Sequence, residues 1–440
     1  MLDRIIAKMV FMVYKGNHHT FASEENRLLT LKGNRIMKKL FITWITLLLV
    51  TVTFAQQSEQ EKVFLEKAVK LEKQLNAEKN PKLKENILME YITFFEKQPQ
   101  EVKEKYKDIP SILYYNLAYH QAVQNKKSKA LKSFEKACAN GYDDYREVLN
   151  DTVFDVLRSN KKFQELHEKM RATSDYVYIL QQSADYVVNE LHTDTLPRFE
   201  YMAPNDSNLV HIRQYFNLDS VAGAGDELSK IKNLLDFVHD KIRHDGGNDN
   251  PSKKNAIALY EACKDGSRGL NCRGLATVLK ECYLAMGFQA RLVTCMPKTF
   301  INDCHVINAV YSNTLDKWLW VDPTHSAMVY DEKGTPLSIQ EVRAYLRQDI
   351  PVHINEDANW NHRSKTSTEN YLYSYMAKNL YYLQCEFNSC FDSETRYKGK
   401  PKAISVSLCP DGYVPDAPKY SKSKYVVTDD AWFWKSPYTK

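Results

Sequence analysis

The chain has 440 residues, 43% hydrophobic and 26% charged, a composition that excludes overall disorder and leaves room for two or three domains. Its formal charge of +5 is accounted for by residues 1–55, which hold eight Lys/Arg and three Asp/Glu, so the remainder is neutral. A neutral remainder removes the compositional support for nucleic-acid binding, and we expect no nucleic-acid partner.

A secretory signal peptide is predicted at residues 37–55. The basic triplet MKK precedes the apolar run LFITWITLLLVTVTFA, which ends in small residues before a cleavage site at Gln56. The apolar run is short for a membrane span, so no stable span is expected after cleavage. Residues 1–36 precede a complete signal and are expected to be a non-native extension, with translation starting at Met37. The protein is therefore predicted to be periplasmic or extracellular.

Residues 56–172 are predicted to form a helical domain, because this Lys/Glu-rich segment carries apolar residues at helical spacing. One helix pair resembles a tetratricopeptide repeat at the offsets of Tyr114, Leu117, Ala118, Ala130, Phe134 and Ala137. Only one such pair is visible, so the domain is repeat-like and not an array. It provides either a surface for docking a protein or a structural brace, and the sequence leaves both open.

The next domain is placed at residues 173–336 and opens with an amphipathic helix over residues 228–242. The inward face of this helix is formed by Ile231, Leu234, Leu235 and Val238. The sequence contains neither HExxH nor a paired CxxC, so no metal site and no cofactor is predicted.

Cys272 is a candidate nucleophile at the start of a second predicted helix. Apolar residues recur at spacings of three and four from Leu275 to Met286, and Gly287 ends the helix. Cys272 therefore occupies the first turn, where unpaired N–H groups and the helix dipole lower a thiol pKa.

Three strands are predicted after this helix, at residues 288–295, 305–311 and 318–322. We expect the last two to form a hairpin in which Ser312 pairs with Lys317. Asp322 then stands opposite Ile307, which makes it a diagonal neighbour of His305 on the same face of the sheet. The pattern therefore predicts a contact between His305 and Asp322.

A thiolate beside an imidazole that is held by a carboxylate is an arrangement for acyl transfer. The motifs G-x-x-C-R-G-L-A, D-x-H-V and W-x-W-V-D-P-T resemble, in this order, the transglutaminase-like superfamily over about residues 225–330. The resemblance implies a papain-like fold with Cys272 as nucleophile, His305 as base and Asp322 as orienting acid. The later segments LSIQEVR, YLYSYMAKNLYYLQC and FWKSP resemble uncharacterised secreted members from Bacteroidetes-type bacteria.

Three further residues are candidates for substrate contact. Arg273 could offer its charge to a substrate carboxylate or be paired structurally. It also stands where crosslinking members of the family usually carry an aromatic residue. Trp320 is expected on the same face of its strand as Asp322, and it could form a wall of the active-site cleft or belong to the core. His244 could line the cleft or be a solvated loop histidine.

Residues 337–440 are predicted to form a C-terminal β-containing extension. Its many aromatic residues indicate either glycan stacking or packing against the catalytic domain. Nine cysteines in an exported protein leave at least one unpaired, Cys385 and Cys390 are a possible disulfide, and buried thiols are expected at Cys138, Cys282 and Cys295.

The expected fold class is α+β, with a helical domain, a papain-like domain and the C-terminal extension. The expected function is an exported, thiol-dependent amide hydrolase of the cysteine-peptidase type, acting on a peptide, protein or cell-wall amide. Protein crosslinking is the first alternative. A non-catalytic module that binds protein or glycan is the second.

Overall fold

The computed structural model describes residues 59–187, 196–301, 303–418 and 422–438. The predicted signal peptide and the residues before it lie outside the described residues. The chain divides into two units that meet in sequence between Asp175 and Tyr176. No helix in the described ranges is both long enough and apolar enough to cross a membrane.

The first unit is helical throughout its described part. Its helices are α1 (Glu59–Ala77), α2 (Pro81–Glu96), α3 (Gln100–Lys105), α4 (Ile109–Val123), α5 (Lys127–Ala139), α6 (Tyr145–Asn150) and α7 (Lys161–Ser174), with a 3-10 helix at Thr152–Leu157. Capping side chains define where several of these helices begin. The Asn80 side chain accepts the Lys82 N–H, and a proline occupies the first position of α2. The Asn160 side chain accepts the N–H groups of Lys162 and Phe163 at the start of α7.

Helices α4 and α5 form the hairpin in which the repeat-like pattern was found. All six residues of that pattern are buried in the core of this unit. Gln121, on α4, donates to Glu85 at 3.1 Å and accepts from Ser133 at 2.7 Å, so its polar group is satisfied inside the core. Membership in the tetratricopeptide class stays a prediction.

The second unit mixes helices with one main sheet. Its helices are α8 (Tyr176–Gln181), α9 (Ser207–Tyr215), α10 (Leu218–Ala222), α11 (Glu227–Lys241), α12 (Ala256–Glu261), α13 (Cys272–Ala285), α14 (Ile339–Arg347), α15 (Ala377–Asn379) and α16 (Asp430–Phe433), with a π-helix at Glu369–Met376. Its strands are β1 (Glu200–Tyr201), β2 (Ala290–Met296), β3 (His305–Ser312), β4 (Lys317–Val321), β5 (Val329–Tyr330), β6 (His353–Ile354), β7 (Asn359–Trp360), β8 (Ser364–Lys365), β9 (Tyr382–Glu386), β10 (Asn388–Ser389), β11 (Ser405–Leu408) and β12 (Tyr425–Val427).

The main sheet has six strands in the order β12-β11-β9-β2-β3-β4. Its β3–β4 hairpin pairs Ser312 with Lys317 and Asn308 with Val321, which confirms the predicted register. Strands β9, β11 and β12 come from residues 337–440, so this region supplies half of the sheet. The boundary predicted at residue 337 therefore falls inside one folded unit.

Helix α13 lies between the sheet and a layer of helices. It packs on β2 and β3 on one side and on α9, α11 and α12 on the other. Every residue from Gly274 to Ala285 is buried, including the charged residues Lys280 and Glu281. The predicted inward face of α11 is confirmed, since its four apolar residues have no exposed surface.

All nine cysteines are free thiols. The possible disulfide between Cys385 and Cys390 is therefore wrong: Cys385 is buried within β9, and Cys390 lies beyond the following short strand. Cys282 and Cys295 are buried as expected, whereas Cys138 is only partly buried.

The N-terminus of α13 is held by two asparagines. The Asn271 side chain accepts the Gly274 N–H at 3.2 Å and caps the helix. Asn250 bonds Asn271 twice, donating to its side-chain oxygen at 2.7 Å and accepting its backbone N–H at 3.1 Å. A Cβ at Gly274 would come within 2.6 Å of Asn250 Oδ1. Glycine is therefore required here by close approach.

We predict that Gly274→Ala destabilises the protein by up to about 2 kcal/mol. The displaced Asn250 loses two hydrogen bonds of about 0.5–1.5 kcal/mol each, against which alanine returns about 1 kcal/mol of helix propensity. In an Asn250→Ala background the clash is gone, so the same substitution should stabilise the protein by about 1 kcal/mol. Urea unfolding measures both, and an equal loss in the two backgrounds would contradict the steric explanation.

Candidate functional site

Cys272 is the first residue of α13 and is partly exposed. Its side chain packs against Ala276, Leu292 and Val306, so the helix and the first two long strands of the sheet converge on it. This places the thiol in the first helical turn, as the sequence predicted, at the point where the helix meets β3.

His305 and Asp322 form a buried hydrogen-bonded pair. His305 Nε2 lies 2.7 Å from Asp322 Oδ2, and both side chains are almost completely buried. The contact predicted from the strand register is therefore confirmed. Because Nε2 is bonded to Asp322, Nδ1 is the ring nitrogen left to interact with the Cys272 thiol.

The three groups shift one another's pKa. Burial would raise the pKa of the Cys272 thiol, but the hydrogen bond and charge of His305 lower it overall. Burial would also lower the pKa of His305, whereas Asp322 and then Cys272 raise it to about 10. The pKa of Asp322 is lowered despite burial, first by His305. These directions favour a thiolate and an imidazolium at neutral pH.

Asp322 is held by donors from three separate segments. Its Oδ2 accepts from Tyr371 Oη at 2.6 Å as well as from His305, and its Oδ1 accepts the Thr324 N–H at 2.8 Å. Trp320 Nε1 in turn donates to Tyr371 Oη at 3.1 Å. The carboxylate is thus fully hydrogen-bonded in the core, which keeps it ionised and fixes the orientation of the imidazole.

The π-helix supplies two residues that the sequence did not single out. Tyr371 binds Asp322, and the half-buried Tyr375 places its ring edge-on to His305, with its Oη 3.5 Å from His305 Nδ1. Both lie in the segment YLYSYM, in which three tyrosines alternate. That alternation was the only available signal, and it did not indicate which tyrosine turns inward.

Two of the predicted substrate contacts are corrected. Trp320 has no exposed surface and donates to Tyr371, so it lies behind the triad in the core and cannot touch a substrate. The guanidinium of Arg273 is bonded to Glu394 Oε1 at 3.1 Å and to Thr294 Oγ1 at 2.8 Å. Its charge is therefore compensated within the protein and not held for a substrate carboxylate.

His244 is buried and is not a solvated loop histidine. It forms a parallel bridge with Leu270, two residues before Cys272, and its Nδ1 accepts from Trp360 Nε1 at 3.2 Å. Burial, followed by the charges of His305 and His325, lowers the pKa of His244 to about 3. The structure therefore brings a neutral imidazole to the side of the triad.

The arrangement supports nucleophilic acyl chemistry. A thiolate is available for attack, an imidazole is placed to give and take a proton, and a carboxylate holds that imidazole. Among the described residues, no three His, Cys, Asp or Glu side chains are grouped as metal ligands would be.

Comparison with known proteins identifies one family. The family model described as the transglutaminase-like superfamily matches residues 214–323, a stretch that contains Cys272, His305 and Asp322. The superfamily resemblance of the motifs is therefore confirmed, whereas the likeness to Bacteroidetes-type members stays a prediction. No curated protein matches the sequence.

We predict that iodoacetamide labels Cys272 well below pH 8.5, about the pKa of a free thiol. His305→Ala removes the cation that stabilises the thiolate but leaves Cys272 largely buried, so labelling should shift upward by about 1–3 pH units. Asp322→Asn should shift it less. Mass spectrometry of the labelled peptide measures each midpoint.

Cys390 is the internal control for this measurement. It is also partly exposed, but burial raises the pKa of its thiol, so it should label only at alkaline pH in all variants. Equal midpoints for Cys272 in the wild type and in His305→Ala would show that the imidazole does not activate the thiol.

We predict that Tyr371→Phe costs about 2–4 kcal/mol, because a buried carboxylate loses a donor and Trp320 Nε1 loses its acceptor. The matched control is Tyr283→Phe, which removes a buried bond of 2.9 Å to the neutral Ile231 carbonyl and should cost only about 0.5–1.5 kcal/mol. Urea unfolding compares the two variants. Equal losses would refute a special role for the charged acceptor.

Proposed function

Since residues 214–323 form a domain of the transglutaminase-like superfamily, we propose that the protein is a thiol-dependent amide hydrolase that works through an acyl-enzyme on Cys272. One observation carries this proposal. The imidazole of His305 is held at Nε2 by a buried, hydrogen-bonded carboxylate, and the Cys272 side chain packs against Val306, the next residue of the same strand. A cysteine that served packing alone would not require this pair.

In the proposed acylation step, Cys272 Sγ attacks the carbonyl carbon of an amide. A C–S bond forms and the π electrons of the carbonyl move to its oxygen. When they return, the C–N bond breaks, and the proton on His305 Nδ1 passes to the leaving nitrogen. An amine is released, and a thioester remains on Cys272.

In the proposed hydrolysis step, His305 Nδ1 takes a proton from water while the water oxygen attacks the thioester carbon. Collapse of the intermediate breaks the C–S bond and releases a carboxylic acid and the thiolate. Asp322 stays a carboxylate throughout, because its three side-chain hydrogen bonds, to His305, Tyr371 and the Thr324 N–H, favour the charged form. Its role is to orient His305 and to stabilise the imidazolium.

Hydrolysis is favoured over crosslinking by the residue that follows the nucleophile. Crosslinking members of the family usually have an aromatic residue there, and this chain has Arg273, whose guanidinium is bonded to Glu394 and Thr294. Water is also the abundant acceptor outside the cytoplasm. Transfer to an amine therefore remains the second candidate.

The proposed setting is outside the cytoplasm. The support is the signal-like pattern at residues 37–55, and the proposed substrate is a peptide, protein or cell-wall amide. The helical first unit is proposed to dock a protein. Exposed apolar residues on it, among them Val63 and Met89, are consistent with such a contact.

We predict that the protein releases ammonia or amine from peptide and casein substrates without incorporating dansylcadaverine when that amine is present. Cys272→Ala should abolish release. Cys390→Ala is the matched control, since it removes a partly exposed thiol outside the triad, and it should leave release unchanged. Fluorescence of the isolated protein substrate and product mass spectrometry are the measurements.

The other results of this experiment would support the two alternative functions. Incorporated dansylcadaverine would replace hydrolysis by crosslinking. The absence of both turnover and a trapped acyl-enzyme, together with protein or glycan binding that survives Cys272→Ala, would instead establish a non-catalytic binding module.

A further inference from the structure

The tetrahedral intermediate of acyl transfer carries a negative charge on the former carbonyl oxygen, which is normally stabilised by hydrogen-bond donors. The backbone N–H of Cys272 is one candidate donor, because the capping Asn271 bonds the Gly274 N–H and not that of Cys272. A further donor must come from another segment beside the start of α13.

The segment at His244 lies beside the start of α13. Asp245 N–H donates to the Leu270 carbonyl at 2.7 Å, and Leu270 N–H donates to the Arg243 carbonyl at 3.0 Å. The side chain of Asn361 clamps the His244 backbone from the other side, at 2.7 Å to its N–H and 2.9 Å to its carbonyl. This histidine is thus fixed two residues from the nucleophile by backbone bonds.

The indole of Trp360 sets the tautomer of His244. An indole nitrogen can only donate, so His244 Nδ1, 3.2 Å from Trp360 Nε1, must accept and carries no proton. The proton of the neutral ring is then on Nε2. Among the described residues, His244 Nε2 has no hydrogen-bond partner, which leaves this N–H to donate elsewhere.

The charge state of His244 suits a donor and not a base. Burial, and then the positive charges of His305 and His325, lower the pKa of His244 to about 3, so the ring is neutral wherever the proposed enzyme works. The bridge of His244 with Leu270 places its backbone two residues from Cys272. A neutral imidazole with its proton on Nε2 can donate a hydrogen bond but cannot deprotonate a thiol there.

We propose that His244 is a catalytic residue whose Nε2–H, together with the Cys272 backbone N–H, binds the oxyanion of the tetrahedral intermediate, and that Trp360 is its positioning residue. This assignment rests on the proposed function. The electron pair moves to the carbonyl oxygen as the C–S bond forms and returns as the leaving group departs. His244 keeps its proton throughout.

Two reactions at Cys272 show whether His244 acts as a hydrogen-bond donor or as a base. Acylation by p-nitrophenyl acetate forms an oxyanion and expels p-nitrophenolate, whereas alkylation by iodoacetamide displaces iodide and forms none. His244→Leu should slow acylation by about 10²–10³-fold. It should leave the rate of alkylation within about twofold and the pH midpoint of alkylation unchanged, because the thiolate depends on His305.

His244→Gln is the matched variant. Its amide can accept from Trp360 and still donate an N–H, so acylation should stay within about tenfold of the wild type, well above the leucine variant. Equal acylation in the two variants would overturn the assignment. So would parallel losses of acylation and alkylation, which would mean that His244 acts on the thiolate.

Trp360→Phe tests the positioning role. Nitrogen-15 NMR of the histidine side chains should show protonated Nε2 and unprotonated Nδ1 for His244 in the wild type, and a mixture of tautomers in the variant. Acylation should fall by about fivefold, the equivalent of one hydrogen bond. An unchanged tautomer would overturn this part.

The wild-type chain distinguishes this inference from the proposed function. If the wild-type protein is alkylated quickly but is not acylated, the proposed function is refuted, and the oxyanion role of His244 is refuted with it. Fast acylation that is unaffected by His244→Leu would refute the oxyanion role alone.

Discussion

The buried pair of His305 and Asp322 is the interaction on which the rest of the site depends. A carboxylate without exposed surface is stable only if its lone pairs are satisfied, since breaking a buried pair leaves an uncompensated charge at a cost of about 3–5 kcal/mol. The donors come from β3, from Thr324 just after β4, and from Tyr371 in the π-helix. The π-helix, beyond the region matched by the family model, therefore helps to hold the buried pair of His305 and Asp322.

The start of α13 is the second constraint. Asn250 and Asn271 lock its first turn, and the glycine at position 274 is required because Asn250 lies where a Cβ would be. The same stretch of chain, from His244 to Asn250, contacts both this cap and Leu270, two residues before Cys272. Rigidity at the helix start thus keeps the thiol, its backbone N–H and the neighbouring imidazole in one geometry, as preorganised electrostatic stabilisation requires.

The electrostatics around the thiol are built from internal pairs. Arg273 is adjacent to Cys272 and contributes to lowering its pKa, yet its guanidinium is bonded to Glu394. The cation therefore supports the thiolate without being available to a substrate. The positive charge that lowers the pKa of the thiol most is that of His305, ahead of Arg273.

The local pattern of the sequence was sufficient for α13, for the β3–β4 register and hence for the contact of His305 with Asp322, because strand side chains alternate with period two and a short turn sets the pairing. Only the tertiary structure decided the partners of these groups. Tyr371 is 49 residues from Asp322, and Trp360 is 116 residues from His244. The alternation of side chains along the strand could not decide whether Trp320 lines the cleft or belongs to the core, because its burial depends on which later segments cover that face of the sheet. Such contacts arise from long-range packing, on which no local periodicity reports.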